Sequence, residues 1–178
     1  MIQTDRLCIS IASDEEIRSL IEKQTDDGMK AAYGEMLSGC MAHPEQREWY
    51  AVWFIRLNSG EAIGDYCFKG LSDGCVEIGY GLLPKYWGKG YATEAVIAAV
   101  EWALRQPGVM RIEAETEPDN TASQRVLEKS GFVPTGTNGE EGPRFVFKDF
   151  AERNGSVPFP ERDAGIYKRE IDRKNNCG

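Results

Sequence analysis

Residues 75–103 combine a strand pattern, a glycine loop and a helix pattern in direct succession, and few folds accommodate that order. "CVEIGYGLL" alternates as a half-buried strand does, Gly88 and Gly90 follow, and from Ala92 apolar residues recur at helical spacing until Pro107-Gly108. Strand, loop and helix together indicate an α/β domain. Bare backbone at a helix N-terminus is typical of an anion site, although the same glycines also fit a tight turn without a ligand.

The remaining pattern extends this domain in both directions. Further strands are predicted in residues 6–13, 49–57, 61–71, 110–117 and 144–150, and helices after Ser13 or Asp14 and within 120–131. Residues 26–49 are predicted to be helical in pieces, broken by Gly28, Gly34, Gly39 and Pro44. The order β-α-βββ-α-β-α-β predicts an α/β sandwich in one domain, residues 1–150, with an irregular C-terminal extension over 151–178.

Composition excludes several classes of function. The 178 residues carry 21 lysines and arginines against 29 aspartates and glutamates, a net charge of −8, which argues against nucleic-acid and membrane partners and favours a cationic one. Five scattered cysteines without a Cys-x-x-Cys pair and the single His43 indicate no disulfide framework and no metal site. With no apolar signal core at the N-terminus, a cytoplasmic protein is predicted.

Two familiar phosphate loops do not match the glycine stretch. A P-loop needs Ser or Thr after its Gly-Lys pair, and here Gly90 follows Lys89; a dinucleotide fingerprint needs a third glycine where Thr93 stands. Instead, "EIGYGLLPKYWGKGYATEA" together with "EPDNTASQRVLEKSGF" resembles the GNAT superfamily of acyl-CoA-dependent N-acyltransferases, within it the ribosomal-protein alanine acetyltransferase branch. The resemblance implies a GNAT-like fold: a mixed, mostly antiparallel central sheet flanked by helices on both faces.

The resemblance also implies acetyl-CoA as co-substrate, with no metal. The superfamily's diphosphate loop coincides with Lys85, where glutamine or arginine is usual, and with Gly88 and Gly90. Amides of residues 87–92 would bind the diphosphate, while backbone groups of Leu82 and Leu83 pair with pantetheine like an added strand. The predicted cofactor-binding residues are Leu82, Leu83, Lys85, Trp87, Gly88, Lys89, Gly90, Tyr91, Ala92, Asn120 and Ser123.

Glu77 is the predicted general base, because it stands between Val76 and Ile78 on the strand that flanks the thioester in this superfamily. It would act directly or through a water, and the alternative is a solvated residue on the outer face of the sheet. A backbone amide within residues 79–82, where "GYG" suits a bulge, would polarise the thioester carbonyl. The second choices for the base are Glu113, Glu115 and Glu117.

Ser123 is the predicted acid that protonates the departing thiolate. Many superfamily members use a tyrosine at the position that Leu127 occupies here, whereas the branch resembled carries a serine that matches Ser123. Asn120 is predicted to cap this helix and also to bond pantetheine. A plain helix-surface hydroxyl is the alternative for Ser123, and Tyr80 and Tyr91 are read first as packing residues.

These residues predict an N-acetyltransferase that moves the acetyl group of acetyl-CoA to a primary amine by direct attack in a ternary complex. The acceptor would be a peptide N-terminus or a small-molecule amine such as a polyamine or an aminoglycoside, and the protein a monomer or homodimer. The main alternative is a noncatalytic acyl-CoA-binding regulatory module, which the departures at Lys85 and Leu127 keep open. A phosphate-binding fold outside this superfamily is the third possibility.

Overall fold

A single eight-stranded sheet forms the centre of the protein. The computed structural model describes residues 1–148, so the predicted extension 151–178 and the last two residues of the predicted domain lie outside the described residues. The strands follow the spatial order β1-β2-β3-β4-β5-β6-β8-β7. Their bounds are β1 Ile2–Gln3, β2 Leu7–Ile11, β3 Val52–Leu57, β4 Ala62–Ser72, β5 Cys75–Leu82, β6 Arg111–Glu115, β7 Phe132–Asn138 and β8 Pro143–Phe147.

The pairing of β5 with β6 is parallel, while every other neighbouring pair in the described sheet is antiparallel. The parallel register begins at Cys75 opposite Arg111 and ends at Ile78 opposite Ala114. Strand β4 nevertheless pairs with β5 as far as Leu82. The residues of β5 after Ile78 therefore have a strand neighbour on the β4 side and none on the β6 side.

Helices cover both faces of the sheet, which confirms the predicted fold class. They are α1 Asp14–Lys23, α2 Asp27–Ala42, α3 Tyr91–Ala103 and α4 Thr121–Lys129. Ile17 of α1 and Tyr33 of α2 pack on one face, called the α1/α2 face, in a cluster with Val52. Apolar residues of α3 and Leu127 of α4 pack on the other, the α3/α4 face, in the larger core cluster.

Helix α2 corrects the prediction that glycines divide residues 26–49 into pieces. Asp26 caps a continuous helix from Asp27 to Ala42, and only Pro44 interrupts it, opening a 3-10 helix over Pro44–Trp49. Tertiary packing outweighs the low helix propensity of glycine here, because a methyl group at Gly39 would lie 2.8 Å from the ring of Tyr50. Glycine lets α2 approach this aromatic ring closely.

Two strands were not predicted, and one began earlier in the prediction than in the structure. Strand β7 contains Pro134 and a left-handed Gly136, which read as strand breakers, yet β7 is the edge of the sheet, where proline is tolerated. Strand β1 has two residues, too few for an alternating pattern. The predicted strand over 49–57 begins at Val52, since Trp49 ends the 3-10 helix.

Candidate active site

The glycine loop joins β5 to α3 in the conformation that an anion site needs. Gly88 and Gly90 have φ values of 71° and 79°, in the left-handed region that residues with side chains rarely adopt. Gly90 is the N-cap of α3 and supplies no side chain to cap it. The first turn of α3 is therefore open at its amide end, where the helix dipole is positive.

The amide groups of this loop fit the diphosphate of coenzyme A. Those of Gly88, Gly90 and residues 91–93 donate no hydrogen bond within residues 1–148. A methyl group at Gly88 would meet no atom within 4 Å, so the space beside the loop is open. Convergent, unused N–H groups beside open space suit a phosphate group, which accepts several hydrogen bonds at once.

Arg6 and Glu94 tie the loop to the start of the chain. The Arg6 guanidinium donates to the Lys89 carbonyl at 3.0 Å and pairs with the Glu94 carboxylate at 2.6 Å. Thr4 also donates its hydroxyl to Glu94 at 2.6 Å. Burial by itself would raise the pKa of Glu94, but the bonds from Thr4 and Arg6 outweigh it and hold the pKa below its usual value. This Arg6–Glu94 bridge fixes the loop on the first turn of α3.

The two lysines of the loop have different surroundings. Lys85 pairs with Glu61 at 2.9 Å and lies 4.8 Å from the ring centre of Tyr86. Lys89 lies over the same ring at 5.5 Å and forms no salt bridge with any residue from 1 to 148. Lys89 thus has the ammonium that is free to meet a phosphate, whereas Lys85 would first have to leave Glu61.

Backbone groups at the end of β5 already have partners in this structure. The Leu82 carbonyl accepts from the Trp87 indole at 2.7 Å, and the Leu83 amide donates to the Ile63 carbonyl at 2.9 Å. The Trp87 side chain is 64% exposed, so its ring can leave without disturbing the core. Pairing of pantetheine with Leu82 therefore requires the indole to release this carbonyl.

Tyr80 and Ser123 bring two hydroxyl groups together where β5 and β6 separate. The Tyr80 Oη lies 2.9 Å from Ser123 Oγ and donates to the Ser123 carbonyl at 3.1 Å. Burial raises the pKa of Tyr80 to about 12, so its hydroxyl is protonated at neutral pH. The pair lies on the α3/α4 face and offers transferable protons beside the separated strands.

The first turn of α4 places Ser123 as the sequence predicts. Asn120 accepts from the Ser123 amide at 3.0 Å, which confirms its prediction as the cap. Leu127, at the position of the tyrosine in many relatives, is fully buried in the core. At this end of α4 the Ser123 hydroxyl contacts the Tyr80 hydroxyl of β5.

Glu77 lies on the α1/α2 face, in the part of β5 that is still paired with β6. Its strand neighbour there is Glu113. Its carboxylate meets the Lys69 ammonium at 2.6 Å, and Lys69 also contacts Glu141 at 2.7 Å. An acceptor ammonium would have to compete with Lys69 for this carboxylate, so the role of Glu77 as base stays a prediction.

The second-choice acids on β6 hold strands together. Glu113 pairs with Arg111 and Arg144, and Glu115 pairs with Arg144 and accepts the Glu141 amide at 3.0 Å. Glu117 is exposed beyond the end of the strand. Glu113 and Glu115 are thereby engaged in ion pairs that join β6 to β8 and to the loop before it.

Asp65 is a carboxylate that sequence reasoning passed over. It stands on β4 directly opposite Gly81 and accepts the Tyr33 hydroxyl from α2 at 2.7 Å through its Oδ2 atom. The sequence feature that could have identified Asp65 is its position as a single acid between Ile63 and Tyr66, which are buried strand residues. The same signal drew attention to Glu77 on the next strand.

Comparison with known proteins decides the family. A family profile described as "Acetyltransferase (GNAT) domain" matches residues 3–133 of the 178. The chain belongs to the GNAT acetyltransferase family. It is an acetyl-CoA-dependent acyltransferase, and a relative named "Uncharacterized N-acetyltransferase YoaA" from Bacillus subtilis is 27% identical over 180 residues, 94% of each chain.

Solved structures share the fold of this GNAT acetyltransferase. Spermidine N-acetyltransferase SpeG from Vibrio cholerae superposes with a TM-score of 0.65 at 15% identity, covering 81% of this chain and 94% of its own. The aminoglycoside acetyltransferase AAC(6')-Ib in complex with coenzyme A gives 0.59 at 24% identity, covering 84% and 99%. At these identities the likeness shows the fold alone, and the ribosomal-protein branch remains a resemblance.

The described part of the acetyltransferase has neither a candidate metal site nor a candidate membrane span. Residues 1–148 contain no group of three or more histidine, cysteine, aspartate or glutamate side chains placed to hold a metal ion. Over the same residues, no helix has the length and apolar content to cross a membrane. The absence of a metal from the reaction stays a prediction.

Proposed function

We propose that this acetyltransferase moves the acetyl group of acetyl-CoA to a primary amine, by direct attack of the amine on the thioester in a ternary complex. The observation that carries the proposal is the set of unused amides from Gly88 into α3, adjacent to the separated part of β5. A diphosphate on these amides would direct the rest of the cofactor along residues 79–83. Acetyl-CoA then supplies an activated acyl group beside two hydroxyls.

Each predicted residue has a part in this proposal. Residues 87–92 bind the diphosphate through main chain, with Lys89 adding charge and Asn120 bonding pantetheine. A backbone amide in residues 79–82 polarises the carbonyl. The Tyr80–Ser123 pair gives a proton to the departing thiolate, since their hydroxyls lie 2.9 Å apart on the helix end where negative charge is favoured. Glu77 is the sequence-based candidate for the base.

The acceptor is proposed to be a cationic amine. Structural neighbours are named for acetylating spermidine and aminoglycosides, which are both polycationic, and this chain has a net charge of −8. A peptide N-terminus is the other candidate. No nucleic-acid or membrane partner, a cytoplasmic location and a monomer or homodimer remain predictions.

The test of the proposed function is Gly90→Val, with binding of CoA measured by isothermal titration calorimetry. A side chain at Gly90 would be strained at a φ of 79°, and its Cβ would lie 3.5 Å from the Arg6 guanidinium that holds the loop. The amides that would meet the diphosphate should therefore be displaced, and affinity should fall by at least about a hundredfold. Gly136→Val is the matched control, because Gly136 has the same φ of about 80° and an open surrounding on the edge strand. It should bind CoA as the wild type does.

Three outcomes would contradict parts of the proposal. A folded Gly90→Val protein with unchanged affinity removes the loop from the cofactor site. No binding of CoA by the wild type removes the cofactor site altogether. Binding of acetyl-CoA without its consumption, over a polyamine, an aminoglycoside and a peptide with a free N-terminus, favours the noncatalytic acyl-CoA-binding module.

A further inference from the structure

Asp65 lies beside the part of β5 where the acetyl group is expected. Its strand partner is Gly81, three residues beyond the point at which β5 and β6 cease to pair. A methyl group at Gly81 would lie 3.7 Å from Asp65 Oδ1, so the carboxylate borders the space that the glycine leaves on the α1/α2 face. Glu77 stands four residues earlier, about 13 Å along the strand.

The Asp65 carboxylate has one engaged oxygen and one free oxygen. Oδ2 accepts the Tyr33 hydroxyl at 2.7 Å, whereas Oδ1 accepts no hydrogen bond from any residue in the described range 1–148 and is not fully enclosed. No lysine or arginine of that range forms a salt bridge with Asp65. A half-buried carboxylate without a cation is costly, and a cationic ligand would relieve that cost.

We propose that Asp65 is the acceptor-binding and catalytic carboxylate of this enzyme: its Oδ1 atom binds the ammonium group of a cationic amine and removes its proton, while Tyr33 holds Oδ2. The inference rests on the proposed function and deepens it. It places the amine on the α1/α2 face and the Tyr80–Ser123 pair on the α3/α4 face. The two proton-handling groups thus stand on opposite sides of the separated strand.

The protons and bonds balance in this arrangement. Asp65 takes one proton from the ammonium, and the neutral nitrogen attacks the thioester carbonyl carbon. The new C–N bond forms, the C–S bond breaks, and its electron pair leaves with the sulfur. Asp65 releases this first proton to solvent and takes the second proton from the nitrogen as the intermediate collapses. The sulfur gains one proton from the Tyr80–Ser123 pair, and the pair regains one from solvent. Asp65 then releases its second proton, so that the whole reaction sets free one proton.

The surroundings of Asp65 make it a stronger base than an exposed aspartate. Burial raises the pKa of this carboxyl, and the bond from Tyr33 opposes the rise only in part. Tyr33 on α2 and the buried Cys67 thiol on the same strand are the titratable groups that interact with it within residues 1–148. The facing residues on β3 and β5 are Phe54 and Gly81, which carry no charge.

The experiment compares Asp65→Asn with Glu77→Gln, using spermidine, kanamycin and an alanyl peptide as acceptors. Asp65→Asn should bind CoA within about twofold of the wild type but lose at least about a hundredfold in kcat/KM for the amine. The loss should shrink as pH rises toward the pKa of the amine, near 10 for an alkylamine, because a base is needed most for the protonated acceptor. Glu77→Gln tests the rival candidate for the base, and Asp65→Asn should lose more of kcat/KM than Glu77→Gln does.

Further variants separate chemistry from structure. Asp73→Asn removes a carboxylate from an exposed turn and should leave kcat/KM unchanged, whereas Tyr33→Phe should lose about tenfold in kcat/KM by freeing Oδ2.

Because the raised pKa disfavours the charged form of Asp65 in the folded state, Asp65→Asn should unfold at a higher temperature than the wild type at pH 8. That difference should vanish below the unfolded carboxyl pKa of about 3.9. A carboxylate that only joined α2 to the sheet would give the opposite sign.

Several results overturn the inference. Full kcat/KM in Asp65→Asn, or a loss confined to Glu77→Gln, would transfer the role of base away from Asp65. If the wild type binds CoA but acetylates none of the three amines, titration of each amine into the CoA complex decides: binding that Asp65→Asn abolishes supports the inference, and no binding overturns it. Failure to bind CoA would instead contradict the proposed function.

Discussion

At the scale of single residues, the hydroxyl pair of Tyr80 and Ser123 is the proposed proton donor in a helix that lacks the usual tyrosine. Leu127 fills the core, so the acid has to come from elsewhere. Tyr80 donates its one proton to the Ser123 carbonyl, so in the 2.9 Å contact the Ser123 hydroxyl donates to Tyr80 Oη and would have to turn away from it to reach a thiolate. The adjacent amide end of α4 stabilises the thiolate in addition.

Ser123→Ala should lower kcat by about tenfold to a hundredfold with little change in acetyl-CoA affinity, because the hydroxyl is needed only as the thiolate departs. The measurement is kcat under conditions where chemistry limits turnover. Ser130→Ala is the matched control at the C-cap of the same helix, because its hydroxyl donates to the Val126 carbonyl there and lies at the other end from the site. A wild-type kcat in Ser123→Ala would leave Tyr80 or water as the acid, and Tyr80→Phe would then distinguish them.

At the scale of elements, the loop before α3 is held by a contact from Arg6, near the N-terminus. Arg6 and Glu94 are 88 positions apart, and together with Thr4 they fix the first turn of α3 against the turn that joins β1 and β2. The carboxylate of Glu94 would repel a nearby diphosphate if it were alone. In the proposed diphosphate site, the pairing of Glu94 with Arg6 offsets that repulsion, so that the amides can attract the anion.

Arg6→Ala should weaken CoA binding by about fivefold to tenfold, roughly 1 kcal/mol, since the lost bonds are charged but the guanidinium is nearly half exposed. Calorimetric titration with CoA measures the effect. Arg18→Ala, an exposed arginine on α1, makes the same change of charge and should bind normally. Arg6→Lys should restore little, because one ammonium cannot reproduce the planar contacts with Glu94 and the Lys89 carbonyl. Full rescue by lysine would show that only charge matters.

Elements with strong periodic patterns were predictable, and elements set by tertiary packing were not. The alternation of apolar and polar residues predicted β4 and β5, and the capping residue Asn120 predicted the start of α4, because these patterns are local in the sequence. The glycines of α2 led to a wrong prediction of breaks in the helix. Gly39 is needed because the Tyr50 ring packs against it, and this contact exists only in the folded protein. Strand β7 was missed because Pro134 is acceptable only at an edge, and edge position is a property of the sheet.

At the scale of the whole molecule, coenzyme A should stabilise the fold. In the proposed site, coenzyme A binds the native state along the side of β5 that lacks a strand neighbour after Ile78, and an unfolded chain has no such site. At a hundredfold excess over Kd the gain is about 2.7 kcal/mol, which corresponds to a rise in Tm of about 5–10 °C for a domain of this size. Differential scanning fluorimetry with and without CoA measures it. Gly90→Val should show no rise, and an equal rise there would contradict the loop assignment.

Of the candidate site, the sequence predicted the loop before α3 but not the contacts between side chains of different elements. The cofactor loop is contiguous in sequence, so Gly88 and Gly90 could be assigned from their order between a strand and a helix. The proton-handling groups are assembled from separate elements: Tyr80 meets Ser123 across 43 positions, and Tyr33 meets Asp65 across 32. Contacts between residues so far apart in the sequence leave no local pattern. The sequence therefore pointed to Glu77 as the base and not to Asp65 on the neighbouring strand.

A cofactor site made of main-chain amides has a consequence for how such enzymes diversify. Exchange of side chains at Trp87 or Lys89 leaves the N–H groups of the loop in place, provided that Gly88 and Gly90 keep their conformation. The α1/α2 face presents side chains instead, among them Tyr33 and Asp65. A lineage can therefore acquire a new acceptor amine by substitutions on one face of the sheet, while its acyl donor stays the same.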